Sequence, residues 1–178
     1  MNILKKQGVA WVITAVMILL AIGIGSAKAP VTPEPPPASI PTAPGSSDQP
    51  FYVYDDASVL SADEEIKLSQ LNGEMYAKFG TVVACVTTNY GKSDLYNFAL
   101  DTAAGIGLGS YDFIVVLDIS GENYWLVQGA GLVDMFSDDD CGDYAWNYME
   151  DDFARGDYGD ALIDLANALY DWYQTNYN

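Results

Sequence analysis

The sequence contains no histidine, and this absence excludes several kinds of site. Ser-His-Asp and Cys-His catalysis both need an imidazole, as do zinc sites of the usual histidine-containing type. The chain has two cysteines, Cys85 and Cys141, and their separation of 56 positions is not a metal-binding spacing. In an exported protein they could form one disulfide, whereas a thiol in a buried strand behaves as a small hydrophobe. The sequence leaves both interpretations open.

Basic residues are scarce in the C-terminal part of the chain. From residue 51 onward there are 23 Asp and Glu but only four basic residues, Lys67, Lys78, Lys92 and Arg155, which gives a net charge of −19. That charge repels phosphate backbones and anionic lipid headgroups, so we expect no nucleic-acid partner. It attracts cations, divalent ones above all, although acids on an exported protein also serve solubility alone.

All eight prolines lie between residues 30 and 50, so proline is absent from the rest of the sequence. Ser, Thr, Ala and Gly fill the positions between them, a composition typical of an extended linker. Residues 51–178 are rich in apolar and aromatic residues and are predicted to form one folded domain.

Residues 1–29 are predicted to be an N-terminal signal-anchor. Lys5 and Lys6 precede an uncharged, mostly apolar run over residues 8–25, which as a helix would span about 27 Å. The two lysines place the N-terminus in the cytoplasm. We therefore expect a single-pass protein of the cell membrane with its C-terminal domain outside the cytoplasm. Cleavage after Ala27 is the alternative and would release a secreted protein.

The segment from Tyr111 to Gly131 is predicted to be the central strand, turn and strand of the domain. Residues 113–117 form an unbroken apolar run, which is typical of a strand buried on both faces. Ser120 and Gly121 supply the turn, and residues 124–127 return as the next strand. Residues 81–88 are predicted to form another buried strand, and residues 51–54 a short extended segment.

About four helices are expected around these strands. Ser61 and Glu64 form a capping box that begins the first helix, and Gly80 ends it. Ser93 is predicted to cap the second helix, and Ser137 or Asp138 the third. The third continues to residue 153, and the last has a buried stripe of Leu162, Leu165, Ala166, Leu169 and Trp172. The prediction is an α/β fold in which a small mixed β-sheet with a central β-hairpin is sandwiched between helices.

Three aspartates, Asp55, Asp112 and Asp138, flank the predicted elements in the loops. If their ends of the sheet coincide, the three carboxylates would meet, and a cation such as calcium would be needed to hold them together. Each carboxylate taken singly also has a structural interpretation. Asp55 suits an Asx-turn and Asp138 suits the start of a helix.

Several short stretches, in this order and spacing, resemble the TPM-domain family, which includes a thylakoid acid phosphatase and a photosystem repair factor. The resemblance covers about residues 51–173 and is greatest to bacterial members with an N-terminal membrane segment and a proline-rich spacer. The matching stretches are residues 52–61, 111–117, 129–132, 136–138 and 156–158.

The resemblance implies an α/β sandwich with an acidic cluster at one edge of the sheet that is able to hold calcium. Asp55 and Asp138 fall on positions that are usually acidic in the family. Before its central strand the family tends to have Asp-Asn-Gly or Asp-Gly, whereas this chain has Tyr111 and Asp112 before Phe113. Transfer of a metal role is therefore weakest at Asp112.

Two functions follow as hypotheses. The first is a membrane-tethered, extracytoplasmic interaction or assembly module that binds divalent cations and a protein partner of the cell envelope. The alternative, implied by the resemblance, is a metal-assisted acid phosphatase in which carboxylates hold the metal. Only four basic residues of the domain could hold an anionic phosphate ester, and no catalytic residue is assigned.

Overall fold

The computed structural model describes residues 51–177. The signal-anchor predicted at residues 1–29 and the linker at residues 30–50 lie outside these residues. Among residues 51–177, no helix combines the length and apolar character needed to cross a bilayer.

A four-stranded mixed sheet forms the centre of the domain. Its strands are β1 (Val53–Asp55), β2 (Val83–Thr88), β3 (Phe113–Asp118) and β4 (Asn123–Gln128), in the spatial order β1-β2-β3-β4. The first three strands are parallel, and β4 pairs antiparallel with β3 as the second strand of the hairpin. All six residues of β3 are buried, which confirms the prediction from its apolar run.

Five helices surround the sheet in the described residues, one more than expected. They are α1 (Ala62–Phe79), α2 (Leu95–Gly105), α3 (Asp138–Tyr148), α4 (Glu150–Arg155) and α5 (Tyr158–Asn176). The additional helix arises because the third predicted helix is divided at Met149, whose backbone leaves helical geometry at φ −132°. The Met149 side chain is buried in the core. Tertiary packing at Met149 therefore accompanies the break in the helix, which the helical pattern of the sequence does not predict.

The helix ends follow local rules. Ser61 and Glu64 form the predicted capping box of α1, and Gly80 ends that helix in the left-handed conformation at φ 70°. Ser137 begins α3 with a second capping box. The cap of α2 is Asp94 rather than Ser93, because the Asp94 carboxylate reaches the backbone N–H of Asn97.

The two faces of the sheet carry separate cores. Alternate residues of β3 point to opposite faces, so Val115 packs against α1, α3 and α5, while Ile114 and Val116 pack against α2. The structure therefore confirms a mixed sheet sandwiched between helices. The buried stripe of α5 ends in Tyr173 rather than in the predicted Trp172, and the Tyr173 hydroxyl donates to the carbonyl of Tyr111.

Both cysteines are free and buried. Burial raises the pKa of the Cys85 thiol to about 12, and burial is also the main cause that raises the pKa of Cys141 to about 12. Neither side chain forms the reactive thiolate at neutral pH. Of the two interpretations of the cysteines, the structure has the buried thiols and not the disulfide.

Candidate functional site

The three predicted carboxylates do not meet. Asp55 ends β1 beside Thr87, at the carboxyl end of the parallel strands, whereas Asp112 precedes β3 beside Val82, at the opposite end. Val82 and Thr87 are five residues apart on one extended segment, which is about 16 Å. No three acidic or cysteine side chains among residues 51–177 are grouped so as to hold a metal ion. The prediction of one cation site shared by Asp55, Asp112 and Asp138 is therefore wrong.

Asp55 has a structural role, but its bonds are not those of the predicted Asx-turn, in which the carboxylate would accept from the backbone N–H two residues on. Its carboxylate accepts from the backbone N–H of Val59 at 3.1 Å and of Leu60 at 2.9 Å, and also from the Thr87 hydroxyl. These bonds hold the connection between β1 and α1 against the end of β2. Three of the roughly four acceptor positions of this carboxylate are therefore occupied by donors of the chain itself.

Asp112 joins the loop after α2 to the sheet. One carboxylate oxygen accepts from the backbone N–H of Val82 at 2.9 Å, and the other from that of Gly109 at 2.6 Å. Burial raises the pKa of the Asp112 carboxyl, and these two hydrogen bonds oppose the rise. The side chain thus ties the entry of β3 to the entry of β2.

Asp138 lies at the same end of the sheet as Asp112 but takes part in a different surface. It is the first residue of α3, and its carboxylate accepts from Nε2 of Gln128 at 2.7 Å. Oε1 of Gln128 in turn accepts from the Cys141 thiol at 3.1 Å. This chain of bonds fixes the beginning of α3 against the end of β4 and leaves Asp138 exposed to solvent.

A groove of about 680 Å³ opens beside Asp138. We call it the β4 groove. Its lining combines all six residues of β4 with side chains from α3 on one face of the sheet and from α2 on the other. Because its lining includes both helical layers and the whole strand, the groove runs along the outer edge of β4. The lining residues are Tyr96, residues 123–128, Asp138, Cys141, Gly142, Ala145 and Trp146.

The floor of the β4 groove is an unpaired strand edge. In an antiparallel pair, successive residues direct their backbone groups alternately toward the partner strand and away from it. Gly129 donates to Asp112 across the β3–β4 pair, so Val127 and Trp125 face β3, and Leu126 and Gln128 face outward. In the described part of the chain β4 pairs with β3 alone.

The walls of the β4 groove are aromatic. Trp146 is 66% exposed, Tyr96 is 45% exposed and Trp125 is 43% exposed. The Tyr96 and Trp125 rings meet edge to face with centroids 5.7 Å apart. Large exposed aromatic side chains around a concavity are typical of an interaction site. Asp138 is the one charged residue of the lining.

These aromatic residues were not among the sequence-predicted site residues. A signal was present on α3, where Gly142 and Trp146 are four positions apart and therefore share one face of the helix. Gly142 has no neighbour within 4 Å of where a Cβ would be, so it leaves room beside the exposed indole. A small residue next to an unburied tryptophan marks a surface that the helix does not pack into its own core.

The sequence matches the family model of the TPM domain over residues 53–172. The chain belongs to the TPM domain family. The matched residues run from β1 into α5, so the TPM domain here comprises the whole sheet and the helices on both of its faces. A comparison with curated proteins finds no match.

Three solved structures are similar to this TPM domain. The N-terminal domain of a P. gingivalis protein has a TM-score of 0.65 at 22% identity and covers 72% of this chain and 85% of its own. The N-terminal domain of a Corynebacterium glutamicum protein has a TM-score of 0.57 at 16% identity, with 74% and 84% covered. A protein from Bizionia argentinensis has a TM-score of 0.52 at 15% identity, with 61% and 77% covered. At these identities the likeness establishes the fold alone.

Proposed function

We propose that this TPM domain is a protein-binding module that takes a segment of its partner into the β4 groove. The observation that carries the proposal is the unpaired edge of β4 between aromatic side chains from α2 and α3. Unpaired strand edges invite pairing with another chain, and proteins usually cover or blunt them. This edge is recessed between two helical layers, since Leu126 and Gln128 are only 5% and 8% exposed, so a partner segment would reach it along the groove.

We further propose that the N-terminal segment holds this module outside the cytoplasmic membrane. Lys5 and Lys6 before the apolar run over residues 8–25 support that topology. A partner would then belong to the cell envelope. Protease added to intact cells should degrade the domain while a cytoplasmic marker survives. Protection of the domain until the cells are lysed would contradict this location.

A metal-assisted phosphatase is less well supported by the geometry. Its metal would need carboxylates at one point, but Asp55 and Asp112 lie at opposite ends of the sheet and bind backbone N–H groups. Transfer of a phosphoryl group also needs cations around the anionic substrate. No basic residue lines the β4 groove, and Arg155 pairs with Asp152 and Asp157 on α4 and the loop that follows.

A displayed library of random peptides, panned against the purified full-length chain, tests the proposal. Gly142→Leu should abolish the binding of selected peptides, because its side chain enters open space in the groove without a clash at Cβ. The matched control is Gly73→Leu, a second exposed helix glycine with nothing within 4 Å of its Cβ position. Both changes replace a helix glycine by a better helix former, so neither is expected to unfold the domain.

Peptides that bind the wild type and Gly73→Leu but not Gly142→Leu would support a binding module in the groove. Peptides that bind all three proteins equally would overturn it. A parallel assay of phosphate-ester hydrolysis with calcium, magnesium or chelator covers the alternative. Turnover that chelator removes, and that disappears in Asp55→Ala or Asp138→Ala while each variant remains folded, would favour the enzyme instead.

A further inference from the structure

We infer that the partner segment is an extended basic strand, which adds to β4 through its backbone and places Lys or Arg side chains against Asp138 and Trp146. This inference rests on the proposed function and specifies its ligand. Strand addition to a sheet edge is a common mode of peptide recognition, in which backbone bonds supply affinity and side-chain pockets supply specificity.

The backbone of β4 determines the form of the ligand. Leu126 and Gln128 direct their N–H and C=O groups into the β4 groove, where an added strand would complete the ladder. The outward N–H of Tyr124 is already taken by the side chain of Asn123 at 2.9 Å. Six strand residues span about 20 Å, so the groove accommodates about six residues of extended peptide. A helix would present no free backbone groups to this edge.

The walls determine the side chains of the ligand. Alternate side chains of an added strand point to opposite faces, toward Trp125 and Tyr96 on one side and toward α3 on the other. On the α3 side they meet the exposed carboxylate of Asp138 and the exposed indole of Trp146. Asp138 and Trp146 are eight positions apart on the helix, which is about 12 Å, so two basic side chains of the ligand would serve them, one paired with the carboxylate and one in a cation–π contact with the indole.

Charge selects among possible occupants. The domain carries −19, and its groove lining contains one carboxylate and no base. A second copy of the domain would bring the same negative charge and be repelled. Residues 30–50 of this chain contain no Lys or Arg, and their eight prolines lack the N–H that a ladder needs. A basic strand from a partner protein supplies both the complementary charge and the backbone N–H groups that the ladder needs.

The test uses a capped, fluorescein-labelled heptapeptide of alternating arginine and valine and the purified full-length chain. Anisotropy titration should show binding that Gly142→Leu weakens at least about tenfold and Gly73→Leu leaves unchanged. Methylation of alternate backbone nitrogens keeps the charge of the peptide but removes its ladder donors, and should also weaken binding about tenfold. Replacing arginine by glutamate should remove binding at the same concentrations.

Asp138→Asn separates charge from structure, because its amide oxygen can still accept from Gln128. We expect it to weaken peptide binding about threefold and reduce the salt dependence, while Asp139→Asn in the same helical turn changes binding less. Amide hydrogen exchange gives a readout independent of variants. Bound peptide should protect the outward amides of Leu126 and Gln128, while the amides of Trp125 and Val127 already face β3.

Three outcomes have distinct meanings. Equal binding of the parent and the N-methylated peptide, or no added protection at Leu126 and Gln128, would overturn strand addition. Groove-dependent library peptides that are acidic or helical would overturn this inference and leave the binding module standing. The absence of any groove-dependent peptide would overturn both.

Discussion

The Asp112 side chain is held where burial opposes its charge. The pKa of its carboxyl is raised above the ordinary 3.8, first by burial, against hydrogen bonds from Gly109 and Val82 that lower it. The folded state therefore keeps the proton longer than the unfolded chain does. As the pH rises from 3.8 to the raised pKa of the folded state, ionisation favours unfolding, and the wild-type chain loses stability.

Asp112→Asn tests this at the residue scale. The variant cannot ionise, and its NH2 group replaces one of the two accepting oxygens, so it loses a hydrogen bond at every pH. We expect its penalty in the free energy of unfolding to be largest below pH 3.8 and to shrink as the pH rises to neutrality. Urea unfolding of both full-length chains across this range measures the difference. Asp139→Asn, at an exposed position, is the control; a penalty for Asp112→Asn that grows with pH would contradict the assignment.

The structural role of Asp55 can be distinguished from a metal-binding role by its dependence on calcium. Asp55→Ala leaves the backbone N–H groups of Val59 and Leu60 without their acceptor, which should cost about 2–3 kcal/mol of unfolding free energy. Because the contacts are made within the chain, the same loss is expected with calcium and with a chelator. Urea unfolding under both conditions measures it, and a loss that appears only when calcium is present would restore a metal role for Asp55.

At the scale of elements, Asn72 of α1 completes a strand that is too short. Cys85 donates to Tyr52, so by alternation Val83 also directs its backbone toward β1, which begins only at Val53. The buried Asn72 amide supplies the missing partners. Its Oδ1 accepts from the N–H of Val83 at 2.8 Å, and its Nδ2 donates to the carbonyl of Val83 at 2.9 Å.

Asn72→Ala should therefore destabilise the fold by about 2–4 kcal/mol, because it leaves a buried N–H and a buried C=O unpaired. Asn147→Ala, at an exposed position of α3, should change the unfolding free energy by less than about 0.5 kcal/mol. Urea unfolding of the two variants gives the comparison. Equal and small effects would show that water or a backbone shift replaces the Asn72 amide.

Elements whose cause is local could be predicted from the sequence. The apolar run of β3, the capping box at Ser61 and the left-handed Gly80 each depend on neighbours within a few positions. The break at Met149 and the burial of Tyr173 could not be predicted, because the partners that stabilise them lie on other elements. The same limit applies to the β4 groove, whose walls come from α2 and α3.

The error at the predicted cation site has a simpler cause. Asp55 is the last residue of one strand and Asp112 precedes another, and in parallel strands these positions lie at opposite ends of the sheet. Whether the three aspartates meet therefore depends on the direction of each strand, and their positions in the sequence alone do not reveal that direction. Asp138 was placed correctly at the start of α3, but its neighbours there are Gln128 and the β4 groove.

At the scale of the whole molecule, the net charge of −19 over residues 51–178 is spread over surfaces that repel one another. Self-repulsion of this size destabilises the folded state, and mobile ions screen it within about 10 Å at 0.1 M salt. Raising the salt concentration should therefore raise the melting temperature of the full-length chain, by about 3 °C or more.

Calcium and magnesium at equal concentration should give equal shifts, because screening depends on ionic charge and not on coordination geometry. A site built for calcium would break this equality at low concentration, since magnesium demands a tighter octahedral shell. The carboxylates that could have formed such a site are divided between the two ends of the sheet, so equal shifts are the outcome that the fold predicts.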